Sequence, residues 1–409
     1  MSPFEPLTGP LAGIKVLDLS RVLAGPWSGQ MLGDLGADVI KVEQPGQGDD
    51  TRKWGPPFLP DGSRDSAYYL CANRNKRSVA IDISKPEGQD LVRQLAAQAD
   101  IVLENFRVGG LAKYGLDYPA LKAVKPDLIY CSITGFGQTG PDKDKGGYDF
   151  LIQGMSGLMS VTGEADGHPL KVGIPVSDLT TGLYATISIL AALQHRNRTG
   201  EGQQIDLALL DAQVAMLANQ GSNWLNGGAE PRRMGNQHPT IVPYQDFACA
   251  DGDVLIALGN DRQFVGLMQV LGLPELGEDP RFALSPNRSD NREALFAAIN
   301  PVIAAWKSDE LIAALAAAKL PGGRINSIPE ALAQPQIEAR EMVHEIARDD
   351  GTPVRFLGFP AKLSASPATY RHAPPRSGQD TRSVLGEVLG LADSEIDALA
   401  AQGIVAETL

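Results

Sequence analysis

Cysteine is scarce in this 409-residue chain: Cys71, Cys131 and Cys249 are three in all, odd in number and widely spaced. Neither a disulfide framework nor a Cys-x-x-Cys metal site is supported, and a reducing compartment is expected. The five histidines, His168, His195, His238, His344 and His372, never fall in an H-E-x-x-H or similar cluster, so no bound metal is expected. Positive charge is short as well: 36 Lys and Arg stand against 49 Asp and Glu, a formal net charge of −13. Nucleic acid and anionic membrane would be repelled as main partners, and an anionic ligand would need a local basic pocket. No apolar run reaches bilayer length, and the opening "MSPFEPLTGPLAGIKVLDLS" lacks a basic n-region and an Arg-rich amphipathic pattern; a cytoplasmic protein is expected. Internal repeats and low-complexity tracts are missing too.

What is present is an ordinary globular composition, 43% hydrophobic and 21% charged, with room for two or three domains at roughly 150 residues each. The β-branched runs "GIKVLDLS", "ADVIKVE", "RSVAIDI", "ADIVLENF" and "DLIYCSITGFG" alternate with amphipathic stretches such as "PEGQDLVRQLAAQA". Nearly continuous apolar strands separated by helices predict an α/β fold, a doubly wound, Rossmann-like domain around a buried parallel sheet. An apolar helix is expected from about residue 179 to 195, and a second long helix in "IDLALLDAQVAMLANQGSNWL". The Gly/Pro/Arg-rich break at 226–239 then marks a boundary. The expected organisation is a large domain with linker helices over 1–225, a smaller α+β domain over 226–335 opening with a hairpin at "ADGD", and a C-terminal segment over 336–409 that returns to the large domain.

In open α/β sheets ligands sit beyond the carboxyl ends of the strands, which places the cleft at the loops after Ser20, Glu43 and Phe106. The first of these is Gly-rich, but Gly25, Gly29 and Gly33 recur every four residues. A dinucleotide fingerprint needs G-x-G-x-x-G, so these glycines read as close helix packing. Arg74, Lys76 and Arg77 read as the mouth of a strand, and Arg107 and Lys113 follow the fourth strand. Together they form a candidate phosphate site for a phosphorylated cofactor. Asp178 precedes the apolar helix and has two readings: a helix cap, or a poorly hydrated carboxylate, kept ionised by amide donors, that acts as a nucleophile. Tyr68 and Tyr148 read as core aromatics when taken alone.

The segments "LAGIKVLDLSRVLAGPWSGQMLGDLGADVIKVEQPGQGDDTR", "NRNKRSVAIDI", "VLENFRVGGLAKYGLD", "YCSITGFGQTGP", "GYDFLIQGMSGLMSVTG" and "GIPVSDLTTGLYA" occur in an order that resembles the class III coenzyme A transferases. That family holds the formyl-CoA:oxalate, crotonobetainyl-CoA:carnitine and succinyl-CoA:glutarate enzymes, together with the α-methylacyl-CoA racemases. "RVLAGP", "CSITG" and "IVPYQ" are similar to the succinyl-CoA:glutarate type.

The resemblance implies that Asp178 is the nucleophile. It implies that CoA, bound as an acyl-CoA substrate, meets Val22, Leu23, Ala24, Gln44, Ile81, Asp82, Ile83, Ser84, Asn105, Phe106, Arg107, Lys113 and Tyr114. Tyr68 and Tyr148 are implied to line the acyl pocket, with Gly235, Asn236, Gln237 and His238 as a lid. The partners implied are acyl-CoA, a carboxylic acid and a second copy of the chain, interlocked as a homodimer with the CoA site at its interface. Arg77 or Arg233 is expected to meet the far carboxylate of a dicarboxylic acceptor. Where the racemase branch has a proton-transferring His, this chain has Tyr148, which favours transfer over racemisation. A CoA-binding module without catalysis is the remaining alternative. A formyl/oxalate pair is disfavoured by Leu23, which stands where the formyl-CoA enzyme has Gln.

Overall fold

Five of the apolar runs become strands, and a sixth joins them where a helix was expected. In the computed structural model, which describes residues 8–408, these are β1 (Lys15–Asp18), β2 (Asp38–Glu43), β3 (Lys76–Ile81), β4 (Ile101–Glu104), β5 (Ile129–Thr134) and β6 (Gln204–Ala208). They pair in parallel in the order β3-β2-β1-β4-β5-β6. Order reverses between β1 and β4, so the loops leaving those two carboxyl ends diverge and open a crevice.

The helices that matter for the site are α1 (Ala24–Asp34), α2 (Pro86–Gln98), α3 (Asp149–Met155), α4 (Val176–Thr199) and α5 (Leu209–Ala215). Alternate strand residues feed opposite faces of the sheet. Leu17, Ile40, Val79 and Val102 join Leu91, Val92 and Leu95 of α2 in one core. Val16, Val39, Ile101 and Ile129 join Leu32 of α1 and Ala185, Ile189 and Leu193 of α4 in the other. Burial on both faces is why the strands read as unbroken apolar runs.

The run "QIDLA" was expected in a helix. Gly202 lies so close to the backbone of Asp127 and Leu128 that an added Cβ would meet Leu128 O at 2.2 Å. This approach leads the chain alongside β5, with Gln204 opposite Tyr130, and the helix starts only at Leu209.

The glycines of α1 let it approach the end of β1 and the start of β3 rather than another helix. Added Cβ atoms at Gly25, Gly29 and Gly33 would meet Ser20 Cβ at 2.3 Å, Asp18 Oδ2 at 2.9 Å and Asn75 Cβ at 2.9 Å. The close helix contact is made by Gly182 of α4, whose added Cβ would lie 2.8 Å from Ala24 O and 3.0 Å from the Trp27 ring. Gly182→Val is expected to push α1 from α4 and cost roughly 1–3 kcal/mol, read as a lower midpoint in thermal unfolding. An unchanged midpoint would show that the helices separate freely.

Helix α4 is long and apolar enough to cross a membrane by length and composition, contrary to the expectation that no such run exists. Its inner face is core: Thr181, Ala185, Ile189 and Ala192 are buried, while Leu183 and Ile187 stay exposed.

The chain divides into two compact units. The larger comprises Met1–Leu158, Val172–Ser222 and Glu338–Leu409; the smaller comprises Met159–Lys171 and Asn223–Ile337. The smaller unit therefore includes a stretch, Met159–Lys171, that lay inside the expected 1–225 domain. It has a three-stranded antiparallel sheet of β7 (Tyr244–Cys249), β8 (Gly252–Ala257) and β9 (Gly322–Arg324). Phe247, Val254, Phe264, Leu295 and Leu311 fill its core.

Within the larger unit, residues 405 and 406 add a short antiparallel strand to the outer edge of β3. A hairpin pairs Val343–Ala347 with Pro353–Leu357. Arg348, beside it, is buried and forms ion pairs of 2.7 Å each with Asp61 and Asp65. Asp65 also pairs with Arg52 at 2.8 Å, and Arg52 grips both oxygens of Glu43 at the end of β2.

Candidate active site

The crevice beyond β1 and β4 holds a cavity of about 190 Å³ lined by Arg21, Val22, Leu23, Ala24, Asn105, Phe106, Arg107, Lys143, Lys145, Tyr148 and Asp178, among others. A smaller cavity of about 100 Å³ lies beside it, with Gln44, Ile81 and Ile83 in its wall and Arg21 and Phe106 shared by both. Both belong to the larger unit. They bring together nine of the thirteen residues expected to meet CoA, with Asp178 and Tyr148 in the first cavity.

Loop geometry at β1 is tightly determined. Val22 has a left-handed backbone, φ 68°, which a β-branched residue adopts only under constraint. Its N–H donates to Asp49 Oδ1 at 3.3 Å. Asn105 brackets the preceding residue, accepting from Arg21 N at 2.8 Å and donating to Arg21 O at 2.7 Å. Beneath the loop lie fully buried ion pairs, Lys76 with Asp18 at 3.0 Å and Lys41 with Asp49 at 2.9 Å. Lys41 and Lys76 also donate to Ser20 O at 2.8 Å and Pro26 O at 2.9 Å. The first loop is thus held from below by charge and from the side by Asn105.

Asp178 lies in the first turn of α4, with Pro175 in the cap position. Capping falls to Asp149, from the first turn of α3, whose Oδ1 accepts from Ser177 N at 2.8 Å and Asp178 N at 3.4 Å. Gln153 steadies its other oxygen by donating at 2.7 Å. Among the described residues, no group donates a hydrogen bond to the Asp178 carboxylate. Burial, and then the charge of Asp149, push its pKa up to about 7. The expectation of a carboxylate held ionised by amide donors is therefore corrected: the amides go to Asp149, and Asp178 is left half-buried and without a hydrogen-bond donor among the described residues.

Tyr68 is half-buried, and its hydroxyl is pushed well above the ordinary range by burial and by the charge of Asp178, with smaller effects from Cys71 and Asp149. Its ring meets Trp54 edge-on at 5.2 Å between centroids.

The structure overturns the part of the basic cluster that stands at β3. Arg74 pairs with Asp34 at 2.5 Å, Lys76 with Asp18, and Arg77 with Asp38 at 2.5 Å and Glu387 at 3.2 Å. Strand β3 begins at Lys76, so these residues stand at its amino end, and their charge is consumed by internal carboxylates. They are not phosphate ligands, and Arg77 is withdrawn as an acceptor residue. Arg21, Lys143 and Lys145 line the first cavity instead. "KDKGGYD", just before α3, carried that signal in the sequence.

Four expected CoA residues lie outside both cavity linings. Asp82 accepts from Ser84 N at 2.9 Å in a turn that closes β3. Lys113 stacks over the Tyr114 ring at 4.5 Å. Gly235, Asn236, Gln237 and His238 belong to the smaller unit, where Arg292 donates to Gln237 Oε1 and His238 O, both at 2.9 Å. Arg233, in the same unit, donates to the carbonyls of Glu164 at 3.3 Å and Gly167 at 2.9 Å.

Similarity to known proteins decides the family of the chain. The profile of CoA-transferase family III matches residues 11–381. The chain belongs to CoA-transferase family III. It is 49% identical over 382 residues to a succinate–glutarate CoA-transferase of Agrobacterium fabrum, covering 93% of this chain and 96% of that one. It is 40% identical over 396 residues to the succinyl-CoA:glutarate CoA-transferase of Homo sapiens, covering 97% and 90%. A crystal structure of a CAIB/BAIF family protein from Brucella suis superposes with a TM-score of 0.83 at 49% identity, covering 93% of this chain and 100% of that one. As a family III transferase, the protein is an enzyme that handles CoA thioesters.

Proposed function

We propose that the enzyme moves CoA from succinyl-CoA to a dicarboxylate such as glutarate through a thioester on Asp178. One observation carries this reading: a half-buried carboxylate, with no hydrogen-bond donor among the described residues and a raised pKa, lines the crevice where the loops of β1 and β4 part. Relatives that act on succinyl-CoA and dicarboxylates support the substrate pair. Arg21, Arg107, Lys143 and Lys145 offer cations to the phosphates of CoA. The roles of Asp82, Ser84, Lys113 and Tyr114 toward CoA, and of Tyr68, Tyr148 and Gly235 to His238 toward the acyl group, belong to the same proposal.

Asp178 attacks the thioester carbonyl; the C–S bond breaks, and a mixed anhydride and CoA thiolate result. The thiolate attacks the aspartyl carbonyl, displacing the donor acid and leaving an aspartyl thioester. The acceptor carboxylate then attacks that thioester, releasing thiolate, which attacks the acceptor side of the new anhydride. Acyl-CoA leaves and Asp178 is restored. The backbone N–H groups of Leu23 and Ala24, opening α1 in the same cavity, are suited to hold the developing oxyanion.

Phe150, Leu151 and Met155 of α3, Leu183 and Ile187 of α4 and Val214 of α5 are exposed apolar side chains. A face of this kind supports pairing with a second copy of the chain, and the interlocked homodimer is part of the proposal.

Acyl-CoA incubated with the protein and trapped with hydroxylamine or borohydride should modify Asp178, as read by mass spectrometry of the peptide. Because Asp178 reacts as a carboxylate, with its pKa at about 7, kcat/KM should fall about tenfold per pH unit below neutrality. An unmodified Asp178 together with a flat profile would rule this mechanism out. Exchange of deuterium at the α-carbon of an acyl-CoA without any acceptor would favour the racemase reading instead.

A further inference from the structure

Glu104 ends β4 immediately before the Asn105–Arg107 loop and is 5% exposed. One carboxylate oxygen accepts from Phe106 N at 2.8 Å; the other accepts from the Ser132 hydroxyl of β5. Ser132 Oγ in turn accepts from Gln138 Nε2 at 2.8 Å, and Gln138 N donates to Asp206 at 3.1 Å. Gln138 stands on the loop after β5 that continues to Lys143, Lys145 and Tyr148.

The carboxylate therefore ties together two loops that wall the first cavity. Its hold on Phe106 reaches the third loop as well, through the two hydrogen bonds of the adjacent Asn105 to Arg21. Arg21 also lies over the Phe106 ring, 5.3 Å from its centroid.

Glu104 has no ion-pair partner among the described residues, although buried carboxylates ordinarily require one. Tyr130 of β5, on the same face of the sheet, and Cys131, on the opposite face, are both pushed up by burial and then by Glu104. On the β1 side, Asp18 is paired with Lys76. Burial lifts Glu104 itself to about 7, against the opposing pull of Ser132 and the Phe106 amide. Nothing in the transfer steps uses this group.

We propose that Glu104 is a positioning residue whose carboxylate form holds the loops after β1, β4 and β5 in the shape that binds the CoA moiety. The assignment rests on the proposed binding of CoA in this crevice. As a carboxylate, Glu104 accepts from both Phe106 N and Ser132 Oγ; once protonated, it loses one acceptor position and the Ser132 hydroxyl must turn. Affinity for CoA should therefore fall as pH drops through neutrality, independently of Asp178.

The test is calorimetric binding of free CoA to Asp178→Ala protein, with and without Glu104→Gln, from about pH 6 to about pH 8.5. The expected result is binding about tenfold weaker with Glu104→Gln at the high end, with the gap closing toward the low end, where the native side chain is neutral as well. Titration of the CoA phosphate is common to both proteins and cancels in the comparison. A gap constant across pH would mark a merely structural role and overturn the proposal, as would no gap. Should CoA bind to neither protein at any pH, the CoA reading itself fails, a result distinct from equal binding by both.

Ser132→Ala supplies a second readout if Glu104→Gln does not fold. Loss of its hydroxyl donor should raise the pH at which affinity drops, by about one unit. An unmoved midpoint would overturn the proposal.

Discussion

Replacing Asp178 by Ala is expected to lower CoA transfer by about four orders of magnitude or more, while CoA still binds. The loss should appear in kcat, because the missing group forms the covalent intermediate and the cations around the cavity remain. Wild-type turnover in a coupled assay would remove Asp178 from the mechanism.

Asp178→Asn carries a second signature. Burial and Asp149 raise the folded-state pKa of Asp178 from 3.8 to about 7, so ionisation opposes folding. Its cost is absent below the unfolded value, grows as pH rises, and is complete above the folded one. The Asn variant should match the wild type in acid and exceed its stability above neutrality by roughly 2 kcal/mol, after allowance for partial exposure. A catalytic group held at the expense of stability gives this sign, whereas a carboxylate serving as a helix cap gives the opposite one.

Arg52→Leu is expected to cost roughly 3–5 kcal/mol, the largest stability effect among these substitutions. Arg52 is buried, grips both oxygens of Glu43, pairs with Asp65, and donates to Tyr69 Oη at 2.6 Å and Pro375 O at 3.1 Å. Its guanidinium lies 3.7 Å from the centroid of the Tyr69 ring. Removing it leaves two buried carboxylates short of positive charge, at a junction between β2 and the C-terminal segment. Arg52→Lys should rescue little, since one ammonium cannot span the fork. Chemical denaturation measures the effect; a midpoint within error of the wild type would show that Arg348 and Lys41 suffice.

The parallel sheet was legible because strands buried on both faces cannot hide their apolar runs, and five of the six were read in place. The sixth, Gln204–Ala208, was missed because its short polar/apolar alternation runs straight into the apolar start of a helix and was read as part of it; the approach of Gly202 to the Asp127–Leu128 backbone, a tertiary fact, leads it alongside β5. At the site, the loops after β1, β2 and β4 followed from the rule that ligands sit beyond the carboxyl ends of parallel strands. Arg74, Lys76 and Arg77 misled because sequence shows charge but not its partners: Asp34, Asp18 and Asp38 lie 40, 58 and 39 residues away. Asp149 escaped notice for the complementary reason. Its capping of α4 links residues 28 apart, and only that link frees Asp178 from the capping role.

The strand at residues 405 and 406 sets an order of events at the ribosome. The outer edge of β3 ends at Ile81, yet its antiparallel partner, Val405, lies 324 residues further along the chain. Until residues 405 and 406 are made, that edge has no antiparallel neighbour, while the whole smaller unit emerges between the parts of the larger one. The larger unit therefore completes its sheet only after the smaller unit has been made, and in the interval the outer edge of β3 is an unpaired template for other strands.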